Sequence, residues 1–253
     1  MFRKIERFCK MAEPTLKSEI ARAAMEIKDH GQLVRPKTWQ AVELKGTGMV
    51  EIFNFQLRAG IPDTLSALKH QTNPDLPWAD EHFAERVSGI PMNPAPSYVR
   101  WPYYKQDEKW RKDGKFSHTY PERMWAPHID GIRYPYGNLE DVLTMLVNDP
   151  MTRQAFLPLW FPEDTGAVHG ERVPCTIGYW FILRDNKLNL YYPIRSCDYR
   201  RHFKNDVYFA CRLCMWVIDQ LKVRSLDWAS VKPGELVMHV WNLHVFEGEE
   251  KFI

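Results

Sequence analysis

Apolar residues recur along the 253-residue chain at two different periods. Ile20, Ala24 and Ile27 fall on one face of a run of helix formers from Leu16 to Lys28, and Gly31 follows, so this stretch predicts an amphipathic helix with a defined end. Leu139 to Val147 repeats the pattern over a shorter span, and Asn148-Asp149-Pro150 breaks it. Asp206 to Leu221 has helical spacing but is apolar on most sides, which predicts a buried helix. The strand-like runs differ. Thr176 to Arg184 is aromatic and β-branched, Asp185-Asn186-Lys187 carries turn chemistry, and Leu188 to Ile194 is apolar again, the pattern of a hairpin. Ala41 to Leu57 reads as strand-turn-strand around Gly46-Thr47-Gly48, and Leu236 to Phe246 as an apolar strand that closes the sheet. Ile90 to Tyr104 holds too much proline for a helix or a central strand. Lys105 to Lys115 is charged and predicts a surface loop, and Asp164 to Arg172 a polar loop leading into Pro174-Cys175. Strands outnumber helices and the two are interspersed without a repeat, so the expectation is a single α+β domain over residues 1–253.

Composition narrows the partners. Hydrophobic content of 45%, charged content of 26% and a net charge of +2 describe a globular protein without a broad nucleic-acid surface, although a small anion needs only a local basic pocket. The basic run Arg200-Arg201-His202-Phe203-Lys204 reads as a solvated loop. Ten tryptophans suit stacking on flat ligands. The five cysteines are odd in number and irregularly spaced, and Met1-Phe2-Arg3-Lys4 lacks a secretory signal, so a reducing, cytoplasmic setting is expected. Cys211 and Cys214 form a C-x-x-C inside a helical run with no second pair, which favours core over zinc or redox chemistry. His239 and His244 are an odd number apart on a strand and face opposite ways, so no metal pair is expected. No apolar stretch is long enough to span a membrane.

The candidate chemistry begins at Cys175. A hairpin returns the chain to its start, so Arg195 should lie beside Cys175, and a nearby guanidinium favours the thiolate over the thiol. Two residues twenty apart become one site.

Five ordered motifs resemble the thymidylate synthase family: Gly46-Thr47-Gly48 with Ile52-Phe53 and Gln56-Leu57-Arg58; Asn148-Asp149-Pro150-Met151-Thr152-Arg153 with Trp160 and Pro162; Pro174-Cys175; Arg195-Ser196-Cys197-Asp198; and Gly234-Glu235 with Leu243-His244-Val245-Phe246. The resemblance implies that family's fold, a twisted mixed sheet at a homodimer interface with flanking helices. It also implies two ligands, a pyrimidine nucleoside monophosphate and 5,10-methylenetetrahydrofolate. Cys175 would be the nucleophile. Arg195 and Ser196 would hold the phosphate, with Arg153 reaching the partner subunit's site and Lys45 standing in for a loop arginine that is Leu44 here. His244 would bind the sugar hydroxyl and Asp198 the folate or its ordered water. A catalytic glutamate would be Glu85, with Glu81 as the alternative. Arg153 as a surface residue, Asp198 as a turn-stabilising carboxylate and Glu85 as a solvated helix charge are the plain alternatives.

Departures from the family pattern select a subgroup. Eight residues after Asp198, where the synthases carry an asparagine that pairs with uracil, this chain has Asp206. A carboxylate only accepts hydrogen bonds; it suits cytosine's exocyclic amine and a protonated ring nitrogen 3, and opposes uracil's carbonyl. Phe203-Lys204-Asn205-Asp206 and Thr176 resemble phage deoxycytidylate hydroxymethylases, which add water where a synthase adds hydride. The chain's stop at Ile253, short of the synthases' longer tail, is expected of an enzyme that admits water. Gln154, Trp180 and Phe246 replace an arginine, a glutamine and a tyrosine of the family. The competing readings are a CMP hydroxymethylase of nucleoside-antibiotic biosynthesis, a dUMP hydroxymethylase or thymidylate synthase, a non-catalytic nucleotide binder, and, for Asp206 alone, a helix N-cap.

Overall fold

The computed structural model describes residues 13–39, 42–125, 138–164 and 172–253. Nine strands and seven α-helices lie among these residues: β1 Gln32–Val34, β2 Thr38–Trp39, β3 Val42–Glu43, β4 Met49–Gly60, β5 Phe156–Pro158, β6 Gly178–Arg184, β7 Lys187–Ile194, β8 Cys197–Asp198 and β9 Lys232–Phe246, with α1 Leu16–His30, α2 Leu65–Thr72, α3 Trp78–Arg86, α4 Tyr104–Asp107, α5 Tyr120–Met124, α6 Leu139–Asn148 and α7 Lys204–Arg224. The main sheet runs β1-β4-β9-β7-β6-β5, with β8 also paired to β9. Its pairs are antiparallel except β7–β9 and β8–β9, which are parallel. The fold is α+β, as the interspersed periods imply.

Local chemistry explains the element ends. Thr15 caps α1 by accepting from the backbone N–H of Ser18, and Ser18 answers with its own side chain, a reciprocal capping box. Gly31 closes the helix where a Cβ would stand 2.3 Å from the Ile27 carbonyl oxygen, a contact only glycine permits. In the β6–β7 hairpin, Asp185 and Asn186 both take positive φ (51° and 56°), the mirror-image turn whose twist matches two strands. The strand-turn-strand expected around Gly46-Thr47-Gly48 is present as β3 and β4. The two do not pair with each other: β3 pairs with β2 in a separate two-stranded sheet, while β1 flanks β4.

The sheet has unlike faces. Leu57, Leu188, Leu190, Leu236, Met238 and Val240 are buried against α7 and its neighbours. Cys211 and Cys214 are fully buried on α7, and the Cys214 thiol donates to the Leu188 carbonyl at 3.3 Å, so the C-x-x-C is core. On the other face Phe156, Trp180, Tyr191 and Val237 stand opposite one another across four strands. Phe156 and Tyr191 are each 37% exposed, and Trp241, further along β9, is 43% exposed. Among the described residues no helix is long and apolar enough to cross a membrane.

Candidate active site

One cavity gathers Cys175, Ser196, Asp198, Asp206 and His244, residues spread over 70 positions of sequence. The hairpin brings the first two together. The backbone N–H of Arg195 donates to the Cys175 carbonyl at 2.9 Å. The Arg195 guanidinium donates through Nε to the Pro174 carbonyl (2.8 Å) and through Nη2 to that of Val173 (3.1 Å). This arginine therefore clamps the segment that carries the thiol. Below it, the Thr176 hydroxyl lies 2.9 Å from Tyr192 Oη and 3.2 Å from Tyr120 Oη. Burial raises both phenol pKa values, so these hydroxyls stay protonated.

After β8 the chain makes a wide π turn, Tyr199–Phe203, that runs directly into α7. Asp198 caps that turn. Its Oδ1 accepts from the N–H groups of Arg200 and Arg201, both at 3.0 Å, and its Oδ2 from Arg201 Nη1 at 2.5 Å. The turn-stabilising alternative thus describes what Asp198 does within the chain. Asp206 is not a helix cap: it sits in the first turn of α7 with its side chain at the cavity, and its Oδ2 accepts from the Cys197 thiol at 3.5 Å. Burial raises its pKa to about 6, against the opposing pull of the Arg86 cation and the Cys197 bond.

His244 is 3% exposed. Its Nδ1 lies 2.9 Å from Asn242 Oδ1, which can only accept, so Nδ1 carries the proton. Asn242 is held in turn by Glu51 at 2.7 Å. Burial lowers the His244 pKa, leaving Nε2 as a bare acceptor, buried and without a partner among the described residues. His239 is exposed on the opposite face.

Four of the predicted residues do not line the cavity. Lys45 is exposed in a turn with φ 46°. Arg153 is exposed, and its carbonyl accepts from Trp180 Nε1 at 3.0 Å, at the edge of the open sheet face. Arg195 stands behind Cys175, as described. Glu85 is turned away: Oε1 accepts from the Ser97 N–H (2.6 Å), and Oε2 from the Ser97 hydroxyl (2.5 Å) and His82 Nδ1 (3.1 Å). Burial pushes this carboxyl upward, but the bonds from His82 and Ser97 outweigh it and hold it below the ordinary range. Glu81 pairs with Arg100 instead. Neither glutamate reaches the cavity in this structure, because α3 presents His82 and Arg86 to it.

Other lining groups went unread in the sequence. The 105–115 stretch is not merely a surface loop: Gln106 and Asp107 of α4 line the cavity, and burial raises the Asp107 pKa despite Arg172, whose Nη1 is 3.4 Å away. Arg172 lies three residues before Cys175 and stacks 4.6 Å over Trp110. Trp78 stacks on His82 and Trp101 on His202, with ring centroids 5.2 and 5.0 Å apart. Burial lowers His82 and His202 to about 4 and His118 to about 3, so these imidazoles are neutral. Tyr120 had a usable signal, since Thr119-x-x-Glu122 is a capping box that opens α5. Residues 165–171, most of the polar loop before Pro174, lie outside the described residues.

No protein-family model matches the chain. It is 23% identical over 223 residues to a curated protein of Methanosarcina barkeri named "Putative thymidylate synthase", spanning 87% of this chain and 82% of that protein. The equally named protein of Methanosarcina mazei is 27% identical over 134 residues, 52% of this chain and 54% of that one, so the match spans about half the length of that relative. Among solved structures, thermostable thymidylate synthase A from Bacillus subtilis superposes with a TM-score of 0.66 at 15% identity, covering 94% of this chain and 82% of that one. The chain has the thymidylate synthase fold. The ordered motifs, the relatives and the fold together support a thymidylate synthase-family protein.

Proposed function

We propose that the protein is a folate-dependent pyrimidine nucleotide hydroxymethylase that acts on dCMP. One observation carries this reading: Asp206 and Cys175 line the same cavity, and the first can only accept from a base edge once ionised. At neutral pH, above its pKa of about 6, Asp206 accepts from cytosine's exocyclic amine. The Cys175 thiolate adds to carbon 6 of the ring, which makes carbon 5 nucleophilic. Carbon 5 takes up the one-carbon unit of methylenetetrahydrofolate and loses its proton, and the bond to the carrier nitrogen breaks with its electron pair on that nitrogen, so tetrahydrofolate leaves. Water adds to the exocyclic methylene that results, carbon 6 expels the thiolate, and 5-hydroxymethyl-dCMP is released. His244 accepts from a sugar hydroxyl through its vacant Nε2. Ser196 serves the phosphate as a neutral donor, and Arg195 acts from behind by holding the segment that carries the thiol.

The cavity's flat rings and its buried acceptor suit a second, aromatic ligand. Trp78, Trp101 and Asp198 are the residues that would hold 5,10-methylenetetrahydrofolate, which supplies a one-carbon unit at the oxidation level of formaldehyde. Asp198 already has three hydrogen bonds from the chain, so it would contribute through ordered water. The open sheet face, with its aromatic row and with Arg153 at its edge, is the face through which two copies would pair and exchange that arginine. The test is incubation with methylenetetrahydrofolate and, separately, dCMP, CMP or dUMP, with mass analysis of the products. A hydroxymethyl group on dCMP supports the reading; a methyl group on dUMP, or no product from any of the three, defeats it.

A further inference from the structure

Arg86, the last residue of α3, is 4% exposed and lines the cavity. Its guanidinium carbon lies 4.1 Å from the centroid of Phe209 and 4.4 Å from that of Tyr120. Two rings thus fix its plane, a favourable but weak compensation for lost hydration. Its Nε is buried with no hydrogen-bond partner, and among the described residues its guanidinium forms no ion pair. That is costly for a buried cation, and arginine has five donors and no acceptor. It is also electrostatically coupled to Asp206 and to Tyr120, the neighbour of Cys175. A buried, oriented, unsatisfied donor beside an acceptor is half of a recognition pair.

We propose that Arg86 is a base-reading residue of this cavity, donating to the acceptor edge of the bound cytosine (ring nitrogen 3 and the carbonyl at carbon 2) while Asp206 accepts from the amine. This rests on the cytosine reading above and changes it in one respect. With a cation supplying the donor, ring nitrogen 3 needs no proton, and the base binds neutral. Arg86 and Asp206 then form a donor–acceptor couple matched to neutral cytosine.

The experiment is calorimetric titration at about pH 8 in buffers of different ionisation enthalpy, using dCMP, dUMP and 2-deoxyribose 5-phosphate. For the wild-type protein, dCMP is expected to bind with no more proton uptake than the base-free sugar phosphate; uptake of about one extra proton overturns the proposal. Arg86→Met, which keeps an unbranched apolar chain between the two rings, is expected to weaken dCMP on the order of 10- to 100-fold and to leave the sugar phosphate within about twofold. Equal weakening of both ligands, or of neither, assigns Arg86 a structural role. If Arg86→Met does not fold, the wild-type proton measurement alone decides. Failure of the underlying reading looks different: wild-type protein would bind dUMP in preference to dCMP, or bind the sugar phosphate as tightly as either nucleotide.

Discussion

The backbone N–H of Arg195 donates to the carbonyl of Cys175 at 2.9 Å, and the same arginine's side chain holds the two carbonyls just before the thiol. The cysteine, three residues ahead of β6, is thereby fixed by the residue that follows β7. The tight turn at Asp185 and Asn186 makes this register obligatory, since a slip of one residue would move Arg195 to the other face.

Replacing the thiol tests the covalent route directly. Cys175→Ala is expected to lower kcat/KM for hydroxymethyl formation by about a thousandfold or more. Binding of dCMP should change by no more than about threefold, because recognition is assigned to other side chains. Titration calorimetry beside a turnover assay separates the two. Residual turnover near the wild-type rate in Cys175→Ala would remove the adduct from the mechanism.

Asp206→Asn has two separable consequences. An amide offers both a donor and an acceptor, so relative affinity should move from dCMP toward dUMP by on the order of tenfold or more. Stability should also change with a definite sign. The folded-state pKa, about 6, stands above the ordinary aspartate value of 3.8, so the folded protein binds the extra proton between those values and stability falls as pH rises through that window. Above it the buried carboxylate carries its full penalty. The variant should therefore be more stable than wild type by on the order of 1–3 kcal/mol at pH 7.5, and by little at pH 4. Urea unfolding at both pH values measures this, and a variant less stable at pH 7.5 would contradict the burial argument.

Much of this site was legible because its residues lie next to strong local signals. Cys175 and Arg195 flank a hairpin with an unmistakable turn, and Asp206 opens a helix whose apolar spacing is plain. Glu85 was misjudged because spacing alone does not say which side of a nine-residue helix meets a cavity. The answer depends on Ser97, twelve residues on, which captures the carboxylate. Arg86 and Arg172 escaped notice for a related reason: a charged residue in sequence reads as solvated, and only tertiary packing against Phe209, Tyr120 and Trp110 makes these two part of the cavity wall. Which strand flanks β4 was not legible, because three short strands precede it and pairing is decided by long-range contacts.

The open face of the sheet carries its own prediction. Trp241 and Tyr191 are exposed apolar rings on strands whose opposite sides form the core, and contiguous apolar surface of this kind marks an interaction site. If two copies pair there, Trp241→Glu should shift the sedimentation coefficient from dimer to monomer and lower turnover, since Arg153 could no longer reach the second site. A wild-type protein that sediments as a monomer at micromolar concentration, or a Trp241→Glu variant that remains dimeric, would exclude this face.

Acid should unfold the protein earlier than its carboxylates alone would dictate. Burial holds His82 and His202 near 4 and His118 near 3, and lowers His244 as well. In the unfolded chain each returns to about 6.5, so as pH falls below that value the unfolded state takes up protons that the folded state refuses. Stability is lost in that direction. Asp206 opposes the effect by one proton, because its folded pKa is raised instead. The net uptake on unfolding should be about two to three protons near pH 5, or on the order of 3–4 kcal/mol per pH unit. Melting curves between pH 7.5 and 5 should show a steep fall in Tm that begins near pH 6.5. His118→Phe should flatten that slope by about one proton, and a Tm independent of pH across this range would mean that the imidazoles are not shielded as the structure requires.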